Sequence, residues 1–281
     1  MSIRYENKGN IHIKKKGMMT MKEYREVFKR TEIKYLLNEA QYNELMPYLK
    51  TIAYVDEYGL SRINNIYFDT PDYILARTSI EKPLYKEKLR LRTYGETGND
   101  TDSFIEIKKK YAGIVYKRRI SGRYIDTYDY LTGISEIMEA SQISKEIKEF
   151  LMFYGKLEPV MSICYDRIAM AGKEDVEFRV TFDSDITWND KCTDLRKVNG
   201  GRPLLKSGQR LMEIKVCNTM PMQLARKLSE LSIFPVSFSK YGSGYAEMIG
   251  LQRNSVSVRQ AAPERESTRI PLRIKGGAAY V

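Results

Sequence analysis

Polar and apolar residues alternate along several stretches of the chain, and three of these stretches contain the same tripeptide, Glu-Ile-Lys. The three copies are Glu32-Ile33-Lys34, Glu106-Ile107-Lys108 and Glu213-Ile214-Lys215. Such alternation predicts β-strands. Because successive side chains of a strand point to opposite faces, each glutamate shares a face with the lysine two residues later. Each strand therefore has one apolar face and one face that carries both signs of charge.

Other runs have the same character. The segment 88–92 (Lys-Leu-Arg-Leu-Arg) places three cations on one face, 177–183 alternates throughout, and Lys117 and Arg119 share a face. One interpretation is an antiparallel sheet whose polar face meets solvent. The alternative is a barrel whose charged faces point inward and form a cation-lined tunnel. The concentration of arginine favours the tunnel, since arginine is preferred where phosphate or carboxylate groups are bound.

The same patterns predict an α+β fold of antiparallel strands and flanking helices. Asn38 has the character of a helix N-cap, and Pro47 is expected to bend, shorten or restart the helix that follows. The other predicted helices cover residues 126–139 and 144–154, and a further one begins at Pro221. Predicted strands end near Tyr35 and cover residues 60–69, 86–124 (a three-stranded meander), 160–170, 176–183 and 210–216.

Charge is distributed unevenly along the 281 residues, which carry a net charge of +11. Residues 1–30 contain nine Lys and Arg against three Asp and Glu, residues 251–281 contain six against two, and the rest is almost neutral. We therefore predict one domain over residues 22–250, with disordered basic segments at 1–21 and 251–281. The neutral body argues against generic nucleic-acid binding, which depends on many phosphate contacts.

Cysteine and histidine content excludes several kinds of chemistry. The three cysteines, Cys164, Cys192 and Cys217, are widely spaced, and His12 is the single histidine. Neither a disulfide framework nor a His- or Cys-ligated metal is indicated, and a metal would be held mainly by carboxylates, which favours Mg²⁺ or Mn²⁺. With no long apolar stretch and no secretory leader pattern, a cytoplasmic location is expected.

A series of motifs in this order resembles the VTC domain, the polyphosphate polymerase branch of the triphosphate tunnel metalloenzymes, which are related to the CYTH proteins. The resemblance covers roughly residues 25–245. The motifs that carry it are Glu32-Ile33-Lys34-Tyr35, Ile66-Tyr67-Phe68-Asp69-Thr70, Lys88-Leu89-Arg90-Leu91-Arg92, Phe104-Ile105-Glu106-Ile107-Lys108-Lys109-Lys110, Lys117-Arg118-Arg119, Arg167, Arg179-Val180-Thr181-Phe182-Asp183, Glu213-Ile214-Lys215 and Ser239-Lys240-Tyr241.

The resemblance implies an eight-stranded antiparallel β-barrel tunnel that transfers the terminal phosphate of ATP to a growing polyphosphate chain and releases ADP. It implies Glu213 as a ligand of Mn²⁺ or Mg²⁺, with Glu32 and Glu106 as further metal candidates or, alternatively, as ion-pair partners of neighbouring lysines. The implied catalytic arginines are Arg90, Arg92, Arg167 and Arg179. The implied substrate-binding residues are Lys34, Lys108, Arg119, Tyr165, Lys215, Ser239 and Lys240.

One position departs from the wider superfamily. Its hydrolases begin with Glu-x-Glu-x-Lys, whereas this chain has Arg30 at the first position. The resemblance therefore favours phosphate transfer over hydrolysis. A tunnel-fold triphosphatase and a non-catalytic polyphosphate-binding protein remain the alternatives. The expected partners are ATP and inorganic polyphosphate, without nucleic acid; the sequence leaves open a membrane-protein partner and the oligomeric state.

Overall fold

The computed structural model describes residues 31–112, 114–135, 141–175, 177–217 and 219–250. The disorder predicted for 1–21 and 251–281 lies outside these ranges, and so does Arg30. A single antiparallel sheet dominates the fold. Its ten strands are β1 (Thr31–Leu37), β2 (Ala53–Asp69), β3 (Tyr85–Tyr94), β4 (Asp102–Tyr111), β5 (Ile114–Arg123), β6 (Glu158–Gly172), β7 (Arg179–Asn189), β8 (Arg202–Pro203), β9 (Arg210–Val216) and β10 (Pro235–Val236).

The strands pair in the order β10-β1-β9-β7-β6-β2-β3-β4-β5, with β8 added to β7. The family resemblance predicts eight strands, and the eight longer strands match that number; β8 and β10 are short additions of two residues each. The predicted meander is confirmed as β3-β4-β5. Within the described residues, β5 and β10 are the ends of the pairing order, so backbone hydrogen bonds do not close the barrel.

Six α-helices occur in the described part of the chain, and none of these helices is long and apolar enough to cross a bilayer. Asn38 caps the first helix in a reciprocal capping box with Gln41, as its residue type predicts. Pro47 lies inside this helix of 14 residues and does not interrupt it, so the predictions of a short helix or of a restart at Pro47 are wrong. The helices are α1 (Glu39–Ile52), α2 (Ile74–Glu81), α3 (Tyr124–Leu131), α4 (Gln142–Tyr154), α5 (Met222–Glu230) and α6 (Lys240–Met248).

The hydrophobic pattern does not predict helices α2 and α6, because contacts with other elements of the fold stabilise them. The carboxylate of Asp69 accepts hydrogen bonds from the backbone N–H groups of Leu75 and Ala76 at the start of α2. Helix α6 contains two glycines, which disfavour helix formation. A Cβ atom on Gly244 would lie 2.7 Å from the sulfur of Met161, so glycine allows α6 to pack closely against β6.

The hydrophobic core lies outside the curled sheet, between its apolar face and the helices. Ile107 of β4 packs in one cluster with Ile147 of α4. Ile214 of β9 packs in a second cluster with Leu45 of α1 and Leu224 of α5, all completely buried. Because these residues take the apolar face of each strand, the charged face turns to the interior.

Asp69 connects the end of β2 to both α2 and α6, and its replacement should destabilise the fold. Its carboxylate is fully buried and also accepts hydrogen bonds from the backbone N–H of Thr70 and the hydroxyl of Tyr241. Asp69→Ala would leave several buried donors without an acceptor, and we expect the free energy of unfolding to fall by about 3 kcal/mol. Urea denaturation measures this loss.

Asp100→Ala is the matched control, because Asp100 is exposed and makes a surface ion pair with Arg123. We expect a change below about 1 kcal/mol for the control. Equal stabilities of the two variants would contradict the role assigned to Asp69.

Candidate functional site

The charged faces of the strands line the interior of the curled sheet, which we call the tunnel. Strand pairing places Lys34 opposite Glu213, Arg90 opposite Glu106, and Arg167 opposite Asp183. Among the described residues on the tunnel face, cations outnumber carboxylates. The charged residues on the tunnel face include Glu32, Lys34, Lys86, Lys88, Arg90, Arg92, Glu106, Lys108, Lys110, Lys117, Arg119, Arg167, Arg179, Asp183, Glu213 and Lys215.

Contacts across the interior show that the sheet curls back on itself. Lys108 of β4 lies 3.2 Å from the carboxylate of Glu32 in β1, although these strands are far apart in the pairing order. Lys88 of β3 donates a hydrogen bond to the hydroxyl of Ser239, at 2.9 Å, just before α6. Side chains therefore join the two halves of the sheet where backbone pairing does not.

Glu32 and Glu213 form the centre of a cluster of lysines. The ammonium of Lys34 lies 3.5 Å from Glu32 and 3.7 Å from Glu213, and Lys215 lies 2.7 Å from Glu213. Burial acts to raise the pKa of Glu213, but Lys215, Lys34 and Lys108 outweigh it and hold this pKa well below its usual range. The pKa of Glu32 is also lowered, since Lys108 and Lys34 outweigh burial and the repulsion of Glu213.

Glu106 neutralises a second group of cations. Its carboxylate is almost completely buried and lies 2.7 Å from the guanidinium of Arg90 and 3.7 Å from that of Arg92. Lys117 contacts its other oxygen. Burial acts to raise the pKa of Glu106, but Arg90, Arg92 and Lys117 lower it strongly. With these partners, Glu106 orients arginines and is poorly placed to hold a metal.

Asp183 organises a third group around Tyr165. Both carboxylate oxygens of Asp183 accept hydrogen bonds from Arg167, at 2.6 and 2.8 Å, and Lys240 contacts one of them. The ammonium of Lys240 lies 4.5 Å from the ring centroid of Tyr165, whose hydroxyl accepts a hydrogen bond from Arg92. Burial acts to raise the pKa of Tyr165, but Arg92, Arg167 and Lys240 lower it to about 8.

Lys88 differs from the tunnel lysines that contact carboxylates, because its described partner is a hydroxyl and its surroundings are cationic. The lysines with carboxylate contacts are Lys34, Lys108, Lys117 and Lys215. Burial lowers its pKa, and Lys34, Lys108, Lys86 and Arg90 lower it further, well below the usual value. Such an arrangement is unfavourable until an anion enters. A bound anion at this position would offset the local excess of positive charge.

Two predicted residues lie at the rim of the tunnel. Arg119 is exposed, and its guanidinium lies 3.7 Å above the ring of Phe104. Arg179 is exposed and faces Lys215 across the β7-β9 pair. The other predicted residues are buried or half-buried in the tunnel. Three further members of the site were not predicted as ligands: Lys88, Lys117 and Asp183. The alternation already placed Lys88 and Lys117 on the charged face, and Asp183 lies on the same strand face as Arg179, but the strand pattern alone does not show which charged residues contact a ligand.

The described residues contain no group of three or more acidic, histidine or cysteine side chains able to enclose a metal ion. Glu213 and Glu32 nevertheless provide two neighbouring carboxylates. The buried hydroxyl of Thr181, opposite Glu213, has no hydrogen-bond partner among the residues that the structure describes. Mg²⁺ is commonly held by one or two carboxylates together with substrate phosphates and water. This donor set therefore fits a divalent cation whose remaining ligands come from the substrate.

Fold and site together define an α+β protein with a cation-lined tunnel on a curled antiparallel sheet. The VTC domain family matches residues 29–249, most of the chain, and this protein belongs to that family. A comparison with curated proteins finds no match.

Solved structures with similar folds are remote in sequence. A proposed adenylate cyclase from Bacillus halodurans is 13% identical, with a TM-score of 0.46, over 75% of this chain and 95% of that one. A Hippeastrum protein described as a proposed adenylyl cyclase with dominant triphosphatase activity is 14% identical, with a TM-score of 0.45, over 78% and 96%. The Mimivirus capping enzyme triphosphatase is 10% identical, with a TM-score of 0.32, over 73% and 89%.

Glu106→Gln should destabilise the protein, because it leaves Arg90, Arg92 and Lys117 without their common counter-charge. Loss of one partner from a buried ion pair costs about 3 kcal/mol or more. Since the pKa of Glu106 is lowered on folding, its contribution is present above about pH 4 and is lost as the pH falls. Denaturation between pH 3 and pH 7 should therefore show a deficit of the variant that shrinks in acid.

Glu146→Gln is the control for this change, since Glu146 pairs with the exposed Arg118 outside the tunnel. Its stability should stay within about 1 kcal/mol of the wild type at every pH. A deficit in Glu106→Gln that does not depend on pH would contradict the electrostatic explanation.

Proposed function

We propose that this protein is a polyphosphate polymerase that transfers the terminal phosphate of ATP to inorganic polyphosphate and releases ADP. The observation that carries the proposal is the excess of buried cations in the tunnel, with Lys88 among cations and hydrogen-bonded to a hydroxyl. A chain of phosphates would supply the missing negative charge. Membership of the VTC domain family supports the same conclusion.

Phosphoryl transfer needs positioning and charge stabilisation more than a protein nucleophile. Arg90 and Arg167 are each held by a buried carboxylate, through contacts of 2.7 Å to Glu106 and 2.6 Å to Asp183. Guanidinium groups fixed in this way require little rearrangement when negative charge develops on the transferred phosphate. We assign them the stabilisation of that charge, together with Arg92.

The lysines bind the phosphate chain on either side of the reacting group. Lys34, Lys88 and Lys108 lie close together, since Lys34 and Lys108 both lower the pKa of Lys88, and Lys34 also lowers the pKa of Lys108. With ATP as the donor and the chain end as the acceptor, these ammonium groups would hold both anions in line for the transfer. Arg179 and Arg119, at the rim, would contact the parts of the substrates that leave the tunnel.

Glu213 and Glu32 are the residues that would hold Mn²⁺ or Mg²⁺, with the hydroxyl of Thr181 beside them. A divalent cation bound here would neutralise charge on the donor phosphates and orient them. The chain's own contribution is to fix both carboxylates: Lys34 contacts each of them, and Lys215 and Lys108 contact one each.

Incubation of the purified protein with ATP and Mn²⁺, followed by separation of ADP, phosphate and polyphosphate, tests the proposal. We expect ADP together with phosphate chains longer than that of ATP. Glu213→Gln should reduce this activity at least 100-fold, whereas Glu146→Gln should retain it. ADP matched by free phosphate would identify a triphosphatase instead, and binding without turnover would identify a polyphosphate-binding protein.

Glu213→Gln should still bind inorganic tripolyphosphate in the absence of metal at least as tightly as the wild type. The variant removes one negative charge that faces the phosphates, so repulsion decreases. Isothermal titration with and without Mn²⁺ measures both effects. If Mn²⁺ strengthens tripolyphosphate binding equally in wild type and variant, Glu213 is not the metal ligand.

Binding of tripolyphosphate should be coupled to proton uptake by Lys88. Because its pKa is lowered in the free tunnel, an incoming polyanion favours the protonated form, and the contribution of Lys88 to affinity should decrease as the pH rises. Lys88→Met should weaken binding about tenfold and flatten this pH dependence. Lys148→Met, on the exposed face of α4, should change neither, and an unchanged pH profile in Lys88→Met would refute the assignment.

A further inference from the structure

The two ends of the tunnel offer different chemistry. At the end where β3 finishes and β4 begins, Tyr94 and Phe104 lie on the tunnel face, and their rings meet edge to face with centroids 5.8 Å apart. The guanidinium of Arg119 covers the Phe104 ring at 3.7 Å. Tyr94 is 41% exposed. These three residues form one accessible aromatic and cationic surface, which we call the rim platform.

The opposite end, where β3 begins and β4 finishes, carries lysines. Lys86 and Lys110 face each other across the β3-β4 pair on the tunnel face. Burial lowers the pKa of Lys86, and Lys110 lowers it further. Tyr67 also faces the tunnel here, but Tyr241 of α6 already stacks on its ring, with centroids 4.4 Å apart. This end therefore suits phosphates, which need cations and no aromatic surface.

We propose that the rim platform binds the nucleobase of the phosphate donor, so that a nucleoside triphosphate enters the tunnel with its phosphates first. The inference builds on the proposed function, since it identifies how the donor is recognised. Aromatic rings and arginine planes are the groups on which bases stack in nucleic-acid-binding proteins. A base at this rim would use both kinds of group.

The spacing along β4 agrees with such a substrate. Phe104, Glu106 and Lys108 follow one another on the tunnel face, and each step of two residues advances about 6.6 Å along a strand. The platform therefore lies about 13 Å from Lys108, which is comparable to the length of an extended nucleoside triphosphate. Arg92 lies directly opposite Phe104, where the first phosphates would pass.

Stacking tolerates different bases, because every base has a π-face. The platform should therefore discriminate weakly between ATP and GTP. Purines should still bind more tightly than pyrimidines, because their ring area is larger. Inorganic tripolyphosphate lacks a base, so its binding should not depend on Tyr94. This difference separates recognition of the base from recognition of the phosphates.

Tyr94→Ala tests the proposal, because Tyr94 is exposed enough to be replaced without loss of the fold. Isothermal titration of the full-length chain with ATP should give about tenfold weaker binding, equivalent to ~1.4 kcal/mol. Binding of tripolyphosphate should be unchanged. Tyr94→Trp should retain ATP binding, and quenching of its fluorescence by ATP, but not by tripolyphosphate, would report the stacked base directly.

Tyr111→Ala is the matched control, since Tyr111 is an exposed tyrosine on the outer face of β4. It should bind ATP and tripolyphosphate as the wild type does. Unchanged ATP binding in Tyr94→Ala, or an equal loss for both ligands, would overturn the proposal. Because the test measures binding, it remains valid if the protein proves not to polymerise phosphate. If the protein does polymerise phosphate but Tyr94→Ala binds ATP as the wild type does, the rim platform alone is refuted.

Discussion

The structure depends on the burial of many cations inside a curled sheet, with fewer carboxylates than cations to balance them. Burying an unpaired charge is expensive, and each tunnel carboxylate is therefore shared. Glu106 contacts Arg90, Arg92 and Lys117, and Asp183 contacts Arg167 and Lys240. The shared carboxylates reduce the repulsion enough for the tunnel to form, and they also fix the direction of each guanidinium.

This electrostatic arrangement is compatible with folding because the apolar faces of the same strands pack against helices on the outside of the sheet. Ile107 and Ile214 lie one residue from Glu106 and Glu213, yet both are fully buried against helices on the outside of the sheet. Hydrophobic burial at about 25 cal/mol per Å² on that side stabilises the strands independently of the tunnel. The period of two in the sequence thus assigns hydrophobic packing to one face of each strand and the charged groups to the other.

The alternation of polar and apolar residues explains how much of the molecule could be predicted from sequence. The strands that contain Glu106 and Glu213 follow directly from it, and the order of motifs indicates the family. The hydrophobic pattern did not predict helix α6, because its glycines disfavour a helix. The helix depends instead on the hydroxyl of Ser239, which accepts a hydrogen bond from the backbone N–H of Gly242, and on the hydrogen bond from Tyr241 to Asp69. The pairing of Lys108 with Glu32 was equally inaccessible, since it depends on how far the sheet curls.

The incomplete neutralisation of the tunnel also defines the role of its ligand. If carboxylates balanced every cation, the phosphates would have to displace ion pairs already formed, and much of their binding energy would be lost. Lys88 instead faces Lys34 and Lys108 and donates a hydrogen bond to Ser239, so an anion at this position relieves repulsion as it binds. Phosphate affinity and the stability of the empty protein are therefore opposed at this residue, and the substrate completes the set of charges that the fold leaves unbalanced.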